Sequence, residues 1–300
     1  MHWSTGFVSH WLHHCHRSFC IGRHTSLSQD TCSKRKKLYF LRTRQNLNFV
    51  RFECSNIGDV EYVPLTPEPS NVAEQELSPG ERLLPLFPLS LVVQPGATIP
   101  LHIFEMRYRL LFNRIKEGDR VFGIVLYNKN NDSVSRYGCL MELIRFEPLP
   151  DGRMLTVNVG KERFRVNRIL KDKPYIIASV VSIEDVPCDD TIFSLGESVW
   201  TELNQVLSLS NKLYGKNVSL SEELQRLAPD SESRGDGHRL VMFSHKVSQV
   251  LDIPVQDQQL LLQTQSTKDR FQRQLELLEH ARKFLAAQLA INDALDRRSF

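Results

Sequence analysis

Leu83-Leu84-Pro85-Leu86-Phe87-Pro88-Leu89 is the stretch that decides the fold. Two prolines three residues apart exclude a helix interior, because each lacks a backbone donor and clashes with the preceding turn. The apolar residues between them still call for burial. The segment therefore reads as an edge strand, where a missing N–H is tolerated. Pro95-Gly96 marks a turn after it, and Ile99-Pro100-Leu101-His102-Ile103 carries the chain into a helix predicted over 104–116. Phe104, Tyr108, Leu111, Phe112 and Ile115 supply the helical spacing, and Gly118-Asp119 ends it.

Strand-like segments follow at 120–127, 138–146, 154–159, 164–170 and 175–183. Their separators are turn-formers: 128–132, Pro150-Asp151-Gly152, Gly160-Lys161 and Asp172-Lys173-Pro174. Several short strands with one inserted helix predict a small, partly closed β-barrel over 83–186. Beyond Asp185 the period changes. Ile192, Leu195, Val199, Leu203, Val206 and Leu213 are mostly three, four and seven apart. A short helix is expected at 219–227, a polar loop at 229–237, and helices at 238–251 and 254–264. Ser266 and Asp269 have capping-box spacing before a long final helix. That helix carries Phe271, Leu275, Leu278, Leu285 and Leu289 on one stripe, with Arg282 in series. The fold class is α+β: a small barrel with one inserted helix, then a helical bundle over 187–295.

Hydrophobic residues make up 41% of the chain and charged residues 24%, which suits a globular protein with about two compact units. The net charge of +3 hides an asymmetry. Residues 1–58 hold nine Lys and Arg against two Asp and Glu, a net +7, which leaves −4 for the remainder. The basic, Ser- and His-rich, acid-poor stretch 1–58 is expected to be a transit peptide, for a plastid or alternatively a mitochondrion. Residues 59–82 turn acidic and proline-rich and read as a linker. No apolar run approaches the ~20 residues of a membrane helix. The six cysteines contain no C-x-x-C pair and form no disulfide framework or zinc ribbon.

The opening strand, the run Pro100-Leu101-His102-Ile103-Phe104-Glu105 through Arg107-Tyr108-Arg109, and Val159-Gly160-Lys161-Glu162-Arg163-Phe164-Arg165-Val166 fall in one order with Asp257-Gln258-Gln259-Leu260-Leu261-Leu262-Gln263. In that order they resemble the LON substrate-binding domain, the N-terminal part of ATP-dependent Lon proteases. The resemblance covers about 83–290 and is strongest to the short, stand-alone LON-domain proteins of plants. It implies a PUA-like barrel and a role in binding proteins or peptides. A Walker A loop, G-x-x-x-x-G-K-[ST], occurs nowhere in the sequence, and no segment matches the family's Ser-Lys dyad or the zinc unit of its ubiquitin-ligase relatives. No catalytic residue, metal ligand or cofactor site is assigned.

Several constellations bear on function. His13, His14, Cys15, His16, Cys20 and His24 are dense in potential ligands but lie where no apolar periodicity builds a scaffold. His238 and His245, seven apart, read as ordinary helix residues, and His102 as a structural group within a turn. Arg163 and Arg165 share one strand face with Phe164 and Val166 behind, which reads as a solvated face. The alternative is a phosphate-contacting strand of an RNA-binding, PUA-like module. Leu277, Phe284 and Ile291, at seven-residue steps on the last helix, form a second apolar face. It is either sandwiched in the bundle or offered to a partner or a second copy of the chain. The expectation is a non-catalytic protein of organellar quality control that binds unfolded client polypeptides, or works with a protease or chaperone. A structural, homo-oligomerising assembly factor is the other alternative.

Overall fold

The computed structural model describes residues 59–66, 78–187, 191–230 and 236–296, together with the strand Phe40–Leu41. The expected leader, apart from those two residues, lies outside the described residues, as do 67–77 of the expected linker. Strand β1 (Phe40–Leu41) pairs with β9 (Leu251–Asp252). The main sheet holds β2 (Tyr62–Pro64), β3 (Glu81–Leu89), β4 (Thr98–Ile103), β5 (Val121–Asn128), β6 (Ser133–Pro148), β7 (Met154–Lys171) and β8 (Ile176–Ile183). Helix α1 (Met106–Glu117) is inserted between β4 and β5. The remaining described helices are α2 (Thr191–Tyr214), α3 (Glu222–Leu227), α4 (Gly237–Val250), α5 (Val255–Gln263) and α6 (Thr267–Asp296). The α+β expectation holds.

The strand order is β2-β6-β5-β3-β8-β7-β4, with β6 also paired to β7. Pairings thus run round a ring of β3, β5, β6, β7 and β8, with β2 and β4 attached outside it. The expected barrel is met only in part, because the ring depends on two long strands that also carry the outside ones. Glycines permit its tight curl. A Cβ on Gly138 would come 2.5 Å from the Phe164 ring, and one on Gly123 2.6 Å, so the buried ring closes over both backbones.

Three local expectations are corrected. The Leu-Pro-Leu-Phe-Pro-Leu strand is central, not an edge, since β8 and β5 flank β3. Its prolines are accommodated by stagger. Residues 81–86 pair with β8 and 86–89 with β5, so Pro85 and Pro88 each face one neighbouring strand. Gly160-Lys161 is not a turn but the middle of the 18-residue β7. The glycine serves a close approach, with its Cβ position 2.7 Å from the Gln94 carbonyl oxygen, opposite a register shift in β6. The segment 98–103 is a strand, and Phe104 precedes α1 instead of lying in its buried stripe.

The helices build their own core from Phe243, Phe271, Leu203, Leu278 and Leu285 among others. Ser266 caps α6 by accepting from the Asp269 N–H at 3.2 Å. Arg282 Nε donates to Glu202 at 2.7 Å, tying α6 to α2. A buried polar seam joins helices to sheet. Asp185, just after β8, accepts from Arg163 of β7 and from Arg270 and Thr267 of α6. Arg163 also donates to the Leu262 and Thr264 carbonyls at 2.8 and 2.7 Å. Arg270 reaches Ser244 Oγ at 2.8 Å, and Gln274 donates to the Ser244 carbonyl at 2.7 Å. His245 Nδ1 lies 3.0 Å from Gln94 Oε1, on the loop before β4.

Candidate functional site

Helix α1 is built as a platform. Its inward residues Tyr108, Leu111, Phe112 and Ile115 are buried. Phe87, from the strand that opens the fold, meets Tyr108 edge-on at 4.4 Å between centroids and Phe112 at 5.8 Å, and Phe112 meets Phe122 at 5.0 Å. Such pairs add about 0.5–1.5 kcal/mol each beyond their buried area. The helix axis is therefore fixed by a packed aromatic cluster, which fixes its outward side as well.

Two apolar side chains stand on that outward side and a third just before it, where solvent would favour polar residues. Phe104 is 58% exposed, Met106 73% and Leu110 51%. Met106 and Leu110 are four apart and so neighbours on one helix face. Phe104 stands just before the helix, its ring 6.1 Å from that of His102 on β4. Strand β4 ends the strand order, with β7 as its strand neighbour. Thr98, Pro100 and His102 are exposed, while Leu101 and Ile103 are buried. Opposite them on β7, Val159, Val157 and Leu155 are half-buried. A strand edge and three apolar side chains thus adjoin at one end of the sheet. An edge can pair with added backbone, and the side chains can anchor a partner's apolar groups.

The sequence-selected residues fall elsewhere. Arg163 is buried in the seam described above, and burial lowers its pKa to about 10 against the opposing pull of Asp185. The expected solvated face is absent there, because α5 and the turn into α6 cover it. Arg163 could reach a phosphate only by leaving Asp185. Arg165 is exposed. On α6, Leu277 is buried in the helical core, Phe284 is half-buried and Ile291 is 59% exposed. Leu277 is thus no surface anchor, and the three do not form one exposed face. His102 lies on a strand, not in a turn. His245 is buried; desolvation, then the charges of Arg270 and Arg163, hold its pKa well below 6.5. Burial pushes the Cys139 thiol up to about 12, which leaves it unreactive.

Met106 and Leu110 are not among the residues the sequence singles out, because the buried stripe alone accounts for the helical period of α1. The available signal was their being apolar on the opposite side.

The sequence matches the family model of the ATP-dependent protease La (LON) substrate-binding domain over residues 83–280. It is similar to a Lon protease of Cytophaga hutchinsonii, 25% identical over 228 residues that cover 73% of this chain and 27% of that protein. A Lon protease of Flavobacterium johnsoniae is 25% identical over 237 residues, covering 76% of this chain and 27% of its own length. The chain thus spans about a quarter of the length of the curated relatives it matches. A solved Lon N-terminal domain protein from Xanthomonas campestris aligns with a TM-score of 0.45 at 24% identity, covering 65% of this chain and 98% of that one.

Proposed function

Because the chain belongs to the LON substrate-binding domain family, we propose that it binds client polypeptides along the β4 edge and the outward side of α1. It does so without catalysis of its own, as a factor in organellar protein quality control that holds clients or brings them to a protease. The curled sheet serves as the small PUA-like barrel of this reading, over about 83–186, and the helices over 187–295 as its companion bundle. The carrying observation is the exposure of Met106 and Leu110 on a rigidly packed helix, and of Phe104 just before it, beside a strand that ends the sheet among the described residues. Single exposed apolar residues are ordinary; it is their grouping beside an edge strand that supports an interaction site here.

The test uses a reduced, alkylated and permanently unfolded protein as the client, with its folded form as control. The full chain is expected to bind the unfolded form and not the folded one. Met106→Asp with Leu110→Asp should weaken that binding at least about tenfold, each lost anchor contributing about 1 kcal/mol or more. No binding of the unfolded form, or unchanged binding in the double variant with circular dichroism intact, would overturn the proposal. The organellar setting rests on the basic, acid-poor composition of 1–58. A fluorescent fusion carrying 1–58 should enter plastids; a cytosolic signal would refute that part.

A further inference from the structure

Around α1, Met106 and Leu110 lie near the centre of the outward side, with Asn113 and Glu117 continuing the line by helical spacing. Arg107 and Arg114 fall roughly 80–100° to one side of Met106, and Arg109 and Lys116 roughly 60–80° to the other. A short apolar centre is thus flanked on both sides by a pair of cations, and Glu117, at the last position, is the one acid of the helix.

The four cations all make side-chain contacts, but few of these contacts are with carboxylates. Arg107 meets Glu105 at 3.0 Å in an exposed pair, which contributes little in water. Among the described residues, Arg109, Arg114 and Lys116 have no carboxylate partner within ion-pair distance. Arg109 Nη1 lies 3.3 Å from Met106 Sδ, Arg114 Nη1 donates to the Tyr175 hydroxyl at 2.9 Å, and the Lys116 ammonium sits 5.0 Å from the centroid of the Phe146 ring. Residues 59–300 carry a net −4, so this face is basic on an otherwise acidic body. A local field opposed in sign to its surroundings selects partners by charge and orients their approach.

From this arrangement we propose that the α1 face selects polypeptide segments in which apolar residues are flanked by Asp and Glu, and rejects those flanked by Lys and Arg. The inference rests on the polypeptide-binding reading above and names its client chemistry. The apolar centre seats one or two aliphatic or aromatic side chains while the flanking carboxylates meet Arg107 and Arg114 on one side and Arg109 and Lys116 on the other. A polypeptide fits better than a nucleic acid because the centre of the face is aliphatic. Met106 and Leu110 give a sugar-phosphate chain nothing to stack on or bond to.

The test compares three fluorescent peptides sharing one Leu-Phe-Leu centre with Glu, Ser or Lys flanks, bound to the full chain. The Glu-flanked peptide should bind roughly tenfold tighter than the Lys-flanked one at about 50 mM salt, and that margin should shrink severalfold by about 500 mM. Arg109→Glu should narrow the Glu-over-Lys margin severalfold, and Lys116→Glu, on the same flank, should do so if Arg109→Glu fails to fold. Equal binding of all three peptides, with loss in Met106→Asp, would leave polypeptide binding standing and overturn the acidic preference. Failure of every peptide and of the unfolded protein to bind would overturn both. Tighter binding of a single-stranded RNA oligonucleotide, insensitive to Met106→Asp, would overturn the polypeptide assignment of this face.

Discussion

Asp185 is the residue on which sheet and helices turn. It accepts from Arg163, Arg270 and Thr267, and the two guanidinium groups are as buried as it is. Removing one member of such a cluster leaves uncompensated charge in a dry site. Asp185→Asn is expected to destabilise the protein by about 3–5 kcal/mol, read as a lowered urea midpoint. Replacing the whole cluster by apolar residues of similar volume should cost far less. His245, close by, makes the seam sensitive to acid. Its folded-state pKa lies well below the ordinary 6.5, so between the two values the unfolded chain binds a proton that the folded chain refuses. Its contribution is complete above about pH 6.5 and is lost progressively as pH falls below that. Urea melts at about pH 7.5 and about pH 5.5 should show lower stability at the acid value, and His245→Gln should flatten the difference. An unchanged slope in that variant would assign the acid sensitivity to other groups.

Helix α1 carries a buried aromatic cluster on one side and the proposed client-binding face on the other. Phe112→Ala, within the aromatic cluster, should cost about 3–5 kcal/mol. Met106→Asp on the other side should change stability by no more than about 0.5 kcal/mol while impairing binding. Most elements were legible in the sequence because period and caps agreed, as at α6, where Ser266 takes the cap its spacing promised. Strand β4 was not, although Ile99, Leu101 and Ile103 alternate with Thr98, Pro100 and His102. Pro100 is accommodated because β4 is an outer strand, where proline is permitted. Gly160 imitated a turn because close backbone approach and turning both call for glycine. Leu277 and Ile291 lie within about 40° of each other around α6, but α2 and α4 pack along the helix and Leu277 is buried, while Ile291 lies exposed near its end. Phase gives a direction around the axis. What stands in that direction is a tertiary fact.

For the whole molecule, the family resemblance was readable because its motifs sit at structurally demanding points: the staggered prolines of β3, the entry to α1, and the glycine of β7. The proposed client surface was readable only as an apolar pair, Met106 and Leu110, opposite the buried stripe of α1; the degree of its exposure emerges only once the core is placed. On the proposed function, clients meet the outward side of α1 and not the end of α6. A photo-crosslinking amino acid placed at position 110, and separately at position 291, tests it directly against an unfolded client. Capture from position 110 with little from 291 is the predicted result. Capture from 291 alone would place the client on the final helix and overturn the α1 assignment.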